Sequence, residues 1–162
     1  MSRKKLYVVG LLFTEDRRFV VLLRKEHPAW QKGLLNGVGG KIELDEKPED
    51  AMSREFKEET GLLVPTIAWQ EFVRYHGGGD ASADSGYRIH FFRAFGFSAE
   101  DAQTVTDEAV GLYSVDALCG HPKDNGLIKN LRWLIPLALD PDIDLPTVVY
   151  DGSQKLDGGR GR

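Results

Sequence analysis

The sequence predicts an α/β sandwich with a mixed β-sheet, and three observations carry that expectation. Short runs rich in Val and Leu recur with polar turns between them. Residues 48–60 carry the end signals of a helix, and a second helical periodicity falls near residues 125–139. A chain of 162 residues with 41% apolar and 28% charged side chains suits one soluble domain with a real core. Residues 1–150 are assigned to that domain, and residues 151–162, rich in Gly and Arg, to a disordered tail.

The elements follow in order. Leu6 to Phe13 and Phe19 to Leu23 flank the polar turn Thr14 to Arg18, which predicts an antiparallel strand pair. Arg3, Lys4 and Lys5 ahead of the first run imitate an export signal, but the run is short and no small-x-small site follows it, so a strand explains it better. Residues 26–40 contain Pro28, Gly33, Gly37, Gly39 and Gly40, too many breakers for a regular element. A helix should start near Pro48, with Glu49 and Asp50 complementing its dipole, and end at Gly61 in a left-handed cap. Ile67 to Tyr75 and Tyr87 to Phe97 read as longer strands joined by a polar loop from His76 to Gly86. Ala109 to Val115 is a further strand, and Leu127, Leu131, Leu134 and Ile135 mark a helix over Asn125 to Leu139. No internal repeat is present.

Composition narrows the function classes. A net charge of −4 gives no general attraction to nucleic acid. The single Cys119 leaves no intramolecular disulfide, fits a reducing compartment, and reads as a small apolar residue near a core edge. No apolar run approaches membrane-span length, and a cytoplasmic location is expected. His27, His76, His90 and His121 lack ligand spacing with one another or with the cysteine, which argues against zinc.

The stretch from Gly40 to Leu62 carries the chemistry. It fits the pattern G-x5-E-x7-R-E-φ-x-E-E-x-G-φ, with φ apolar, through Gly40, Glu46, Arg54, Glu55, Phe56, Glu58, Glu59, Gly61 and Leu62. At about 6% usage per fixed residue, chance fills it roughly once in ten million such chains, so the pattern is a signature. On a helix Glu55 and Glu59 lie about 40° apart and Glu55 and Glu58 about 60° apart, so all three share an arc of roughly 100°. Like charges so spaced repel. A solvated acidic face balanced by Lys47 and Lys57 would tolerate that; a hard cation such as Mg²⁺, which selects carboxylate oxygens and bridges phosphates, would exploit it. Gly39-Gly40 lets the backbone approach the helix, so that a carbonyl can join the ligands. Arg54 points about 100° from Glu55, where it can pair with Glu46.

This stretch resembles the Nudix box of hydrolases that cut pyrophosphate linkages in nucleotides. The resemblance implies a Nudix-type α/β/α sandwich and an Mg²⁺ site, with Mn²⁺ as a substitute, formed by Glu55, Glu58, Glu59 and the Gly39 carbonyl, with Arg54 and Glu46 as a brace. Phe56 departs from the aliphatic residue usual at the first φ slot. A general base is needed as well: Glu55 is the first candidate, and Glu108, in Thr106-Asp107-Glu108, is the second, as base or extra ligand. A strand-edge surface charge is the alternative reading of Glu108.

The run Leu35-Asn36-Gly37-Val38-Gly39-Gly40-Lys41 looks like the N-G-x-G-G-K run of Nudix triphosphatases that sanitise oxidised purine nucleotides. That likeness makes Asn36 a candidate base reader, beside its reading as a plain turn residue. Arg24, Lys25 and Lys41 are candidate phosphate contacts or ordinary surface cations. Trp30, Trp69 and the aromatic strand Phe91, Phe92 and Phe95 supply candidate stacking rings. Position 77 is Gly and no Tyr lies between Tyr75 and Tyr87, so the markers for ADP-ribose and diadenosine polyphosphates are missing. The expected activity is Mg²⁺-dependent hydrolysis of nucleoside triphosphates to monophosphate and pyrophosphate by a monomer or homodimer. The alternatives are another diphosphate-linked substrate, such as a nucleotide-sugar or an RNA 5′ end, and a non-catalytic nucleotide-binding module.

Overall fold

Strand β1 (Lys5–Phe13) organises the sheet, and the computed structural model describes the chain over residues 4–78, 86–120 and 126–151. β1 runs parallel to β6 (Tyr87–Phe95), from Lys5 opposite Tyr87 to Phe13 opposite Phe95. Its other edge pairs antiparallel with β4 (Val38–Lys41) through Tyr7 to Gly10, and with β2 (Phe19–Arg24) at Phe13 opposite Val20. β3 (Leu35–Asn36) continues beyond β2, and β5 (Gln70–Gly77) and β8 (Thr147–Tyr150) continue beyond β6. β7 (Ala109–Ser114) also pairs with β2. The β1–β6 and β5–β8 pairs are parallel and the others antiparallel, which is the mixed sheet expected.

Helices cover both faces. α1 (Pro48–Thr60) buries Ala51, Met52 and Phe56 with Val8, Leu12, Val21 and Phe92 on one side. On the other, α2 (Val115–Gly120) and α3 (Leu131–Ala138) bury Leu118, Leu131, Leu134 and Ile135 with Leu11, Leu22 and Phe91. The result is an α/β/α sandwich. α1 has Pro48 in its first turn and ends at Gly61 (φ 74°), whose N–H donates to the Lys57 carbonyl at 2.9 Å. Phe56 is fully buried with its ring 5.3 Å from Trp69, so the aromatic at that slot is absorbed by the core.

Several expectations need correction. Residues 35–41 form β3 and β4, because the glycines there admit close approach rather than break the strand. A Cβ on Gly39 would lie 1.9 Å from the Val8 carbonyl oxygen. Ile67 is not in a strand: Pro65 leads into a 3-10 turn over Thr66–Ala68 with Ile67 exposed, and β5 begins at Gln70 and runs through His76 and Gly77. β6 ends at Phe95, where Gly96, Phe97 and Ser98 all take positive φ. The last long helix starts at Leu131, since Gly126 and Ile128 bond to Leu35 and lie alongside β3. Cys119 is exposed rather than at a core edge. The expected tail and loop fall largely on residues 152–162 and 79–85, outside the described residues. Among the described residues no helix is long and apolar enough to cross a membrane.

Candidate functional site

Arg54 is the hub of the acidic cluster. Its Nε donates to Glu46 Oε2 at 2.8 Å and its Nη2 to Glu46 Oε1 at 3.0 Å, a two-pronged pair. Nη2 also donates to the Lys41 carbonyl at 3.0 Å, and Nη1 donates to Glu55 Oε1 at 2.9 Å and Glu58 Oε2 at 3.3 Å. Glu46 Oε1 in turn accepts from the Glu43 amide at 3.0 Å. Helix, loop and the end of β4 are thereby joined by one side chain. Arg54 pulls the Glu46 pKa down, and the carboxylates around Arg54 raise its own.

Glu55 and Glu59 are placed differently. Glu55 lies against Gly40 so closely that a Cβ there would sit 2.5 Å from the carboxyl carbon, which explains the glycine. Burial raises the Glu55 pKa, against the pull of Arg54. Glu59 is deeper. Burial, with repulsion from Glu55 and Glu108, pushes its pKa to about 7, although Lys25 and the Gly39 backbone oppose the shift. Its Oε2 is buried and has no hydrogen-bond partner. Glu58 is outermost, with a side chain 56% exposed. Among the described residues no three acidic, His or Cys groups converge into a ready-made cation site, and Arg54 stands among the carboxylates.

Glu108 is buried and fully engaged. Lys25 Nζ donates to its Oε1 at 3.0 Å, and the amides of Glu26 and His27 donate to Oε2 at 2.7 and 3.3 Å. Burial alone would raise its pKa, but these bonds overrule burial and lower it. The carboxylate thus ties the segment after β2 to the residues preceding β7.

A cavity of about 910 Å³ opens beside this cluster and is lined by Gly39, Gly40 and Lys25 at one end. Tyr7, Tyr75, Tyr87 and Phe91 give it an aromatic wall, and Trp30 stands at the side, 70% exposed. Asn36 lies in the wall too. Its Nδ2 donates to Gln31 Oε1 at 3.1 Å and its Oδ1 accepts from the Gly37 amide at 2.7 Å, so one Nδ2 hydrogen remains. Lys41 is exposed at the end of β4, and Arg24 is exposed with its Nη1 on the Gly33 carbonyl at 2.8 Å; neither lines the cavity. Of the three cations singled out, Lys25 does.

Gln31 and Asn130, which also line the cavity, escaped the sequence reading. The Asn130 Oδ1 is buried without a hydrogen-bond partner. Only the fold brings these distant amides together; proximity of Gln31 to Asn36 in sequence was the one available signal.

A mixed-sheet sandwich whose acidic helix lies against a double-glycine strand defines the Nudix class. The chain belongs to that family, whose NUDIX domain matches residues 3–134. It is similar to an oxidized purine nucleoside triphosphate hydrolase of Danio rerio, 32% identical over 104 residues that cover 64% of this chain and 63% of that one. A Mus musculus protein of the same description is 39% identical over 67 residues, 41% of each chain. Both matches thus span less than two thirds of the relative's length. Among solved structures, a MutT protein from Bacillus halodurans superposes with a TM-score of 0.65 at 17% identity, covering 90% of this chain and 89% of that one. The NUDIX domain of Shewanella oneidensis NrtR superposes with a TM-score of 0.64 at 23% identity, covering 85% and 88%. At these identities the superpositions show the fold.

Proposed function

We propose that the protein is an Mg²⁺-dependent pyrophosphohydrolase that converts nucleoside triphosphates to the monophosphate and pyrophosphate, with modified purine nucleotides as the first substrates to test. One observation carries the reading: a cavity of about 910 Å³, walled by rings and amides and roomy enough for a nucleotide, is lined by Gly39-Gly40, beside Glu59, whose buried Oε2 has no hydrogen-bond partner. The relatives described as oxidized purine nucleoside triphosphate hydrolases support the substrate class.

The residues fit a hard divalent cation. Glu59 has an orphaned buried oxygen and a charge disfavoured by burial and then by repulsion from Glu55, which a cation would relieve. Glu55, Glu58, Glu59 and the Gly39 carbonyl would hold Mg²⁺, or Mn²⁺ in its place. When bound, the ion would neutralise phosphate charge and acidify water. Glu55 is the better base. Its pKa is raised towards the working range, whereas that of Glu108 is lowered and its oxygens already accept three bonds. Glu55 takes the proton as water attacks phosphorus, the bridge between the α- and β-phosphates breaks, and pyrophosphate departs. Glu108 then acts as the anchor that holds Lys25 at the phosphate end of the cavity. Asn36 and Gln31 offer amide groups to the base, and the aromatic wall offers stacking. The single cysteine suits a cytoplasmic setting.

A panel of canonical and oxidised nucleoside triphosphates, nucleotide-sugars and a 5′-triphosphate RNA, assayed with and without Mg²⁺, tests this reading. Mg²⁺-dependent release of pyrophosphate from triphosphates is the expected result. Tight nucleotide binding without turnover of any compound would replace the enzyme with a binding module.

A further inference from the structure

On the sheet face turned away from the cavity, four basic side chains form a square. Across the antiparallel β5–β6 pair, Arg74 faces His90 and His76 faces Arg88, so arginines occupy one diagonal and histidines the other. Directly opposed residues have Cβ atoms about 5 Å apart, so each arginine stands beside a histidine whose protonation would add a like charge. Tyr75, Tyr87 and Ile89 alternate with these four and line the cavity on the reverse side. The square and the cavity therefore stand back to back.

Compensation within the square is uneven. Glu71 binds Arg74 through two bonds of 3.1 and 2.6 Å and pairs with His90 Nδ1 at 2.6 Å. Among the described residues Arg88 and His76 are left over. The Arg88 Nε and the His76 Nδ1 are both buried with no hydrogen-bond partner, and His76 as a whole is only 9% exposed. Tyr150, on the edge strand β8, stacks on the His76 ring at 5.0 Å and 13°. That stack covers a ring face but offers nothing in the ring plane, where Nδ1 bonds. Burial, then Arg88, Lys4, Arg74 and His90 in turn, depress the His76 pKa, and no acid stands among those causes.

We propose that Arg88 and His76, framed by Arg74, His90 and Tyr150, form a phosphate-binding site on the face opposite the cavity. The buried Arg88 Nε–H requires an acceptor, the buried His76 Nδ1 takes the same acceptor when it carries the ring proton, and the Arg88 charge calls for an anion. A phosphate group meets both needs. Its tetrahedral oxygens reach donors on two adjacent strands at once, whereas a planar carboxylate matches a single guanidinium fork. The group belongs to a free phosphate or pyrophosphate, or to a nucleotide whose base would extend the Tyr150 stack.

The test is a titration of the full chain in EDTA with inorganic pyrophosphate and, separately, with AMP, followed by NMR of the histidine rings and arginine Nε–H groups. Saturable shifts at His76 and Arg88 are expected. The His76 titration midpoint should move upward, because a bound anion opposes both the burial cost and the positive neighbours. Arg88→Gln should weaken binding by about tenfold or more, the loss of one charge-assisted bond. Arg88→Lys, which keeps the charge and loses Nε, should fall between, and circular dichroism of both variants checks the fold. AMP binding tighter than pyrophosphate assigns the site to nucleotides; equal or weaker binding assigns it to the free anion. Resonances of His76 and Arg88 that stay fixed with both probes would overturn the proposal, as would affinity unchanged in Arg88→Gln. So would shifts that vanish in Lys25→Met, since the anion would then sit at the phosphate end of the cavity.

Discussion

The acidic cluster on α1 and the basic square on β5 and β6 are opposite in sign and alike in construction. Each gathers side chains of one kind, acidic or basic, at neighbouring positions and supplies one counter-charge that serves only part of the group. Arg54 engages Glu46, Glu55 and Glu58 and leaves Glu59 with a bare buried oxygen. Glu71 engages Arg74 and His90 and leaves Arg88 and His76 with bare buried nitrogens. The difference lies in the surroundings. The acidic remainder lies against Gly39, which lines the large cavity, whereas the basic remainder lies under an edge-strand tyrosine. A shortfall in compensation beside a cavity suits catalysis on something large; the same shortfall beneath a single ring suits capture of a small ion.

The comparison breaks most visibly at Glu59. Glu59→Gln should lower kcat/KM by about a hundredfold or more in Mg²⁺, yet raise Tm in EDTA, because it removes a buried charge repelled by Glu55 and Glu108. Thermal scans with and without metal, beside turnover, check the pair of effects. Unchanged turnover would remove Glu59 from the site. Next in size is the brace: Arg54→Met should cost about 2–3 kcal/mol in urea denaturation, since it strands partly buried carboxylates. A loss as small as that of an exposed lysine would deny the brace any structural weight.

Glu71→Gln gives a smaller effect with a pH signature. Burial alone would raise the Glu71 pKa, but His90 and Arg74 overrule it and hold it below its ordinary 4.5. A depressed carboxylate contributes stability that is fully present above about 4.5 and is lost as pH falls below it. Wild type should therefore exceed Glu71→Gln by about 1–2 kcal/mol at pH 7, and the two denaturation midpoints should converge in acid. Parallel curves from neutral to acid pH would contradict the assignment. The mildest change in turnover is Lys25→Met. It should raise KM for triphosphates several-fold with little change in kcat, as loss of a cation at the phosphate end predicts. A fall in kcat with KM unchanged would place Lys25 in the chemical step instead.

The parts of the molecule legible in sequence were those written locally. Pro48, the acidic first turn and Gly61 bound α1, and the eight-residue spacing from Glu46 to Arg54 predicted a pair that the structure shows. Signals failed where meaning depends on a distant strand. Gly37, Gly39 and Gly40 read as breakers, yet Gly39 and Gly40 lie within β4 because Val8 and Glu55 leave no room for a side chain. β8 escaped notice because Thr147–Tyr150 is short and finds its place only beside β5. Gln31 and Asn130 needed the cavity, and the basic square needed the β5–β6 register, before either formed a group.

The chain's tryptophans differ in one useful respect. Of the three, Trp30 stands at the cavity side, 70% exposed, Trp133 is 40% exposed and does not line the cavity, and Trp69 is shut away at 6% against Phe56. Intrinsic fluorescence should accordingly divide into a red-shifted component open to quenchers and a blue, shielded one. Filling the cavity should dim the Trp30 share of the first and spare Trp133 and the second, an optical gauge of occupancy that needs no label and no turnover.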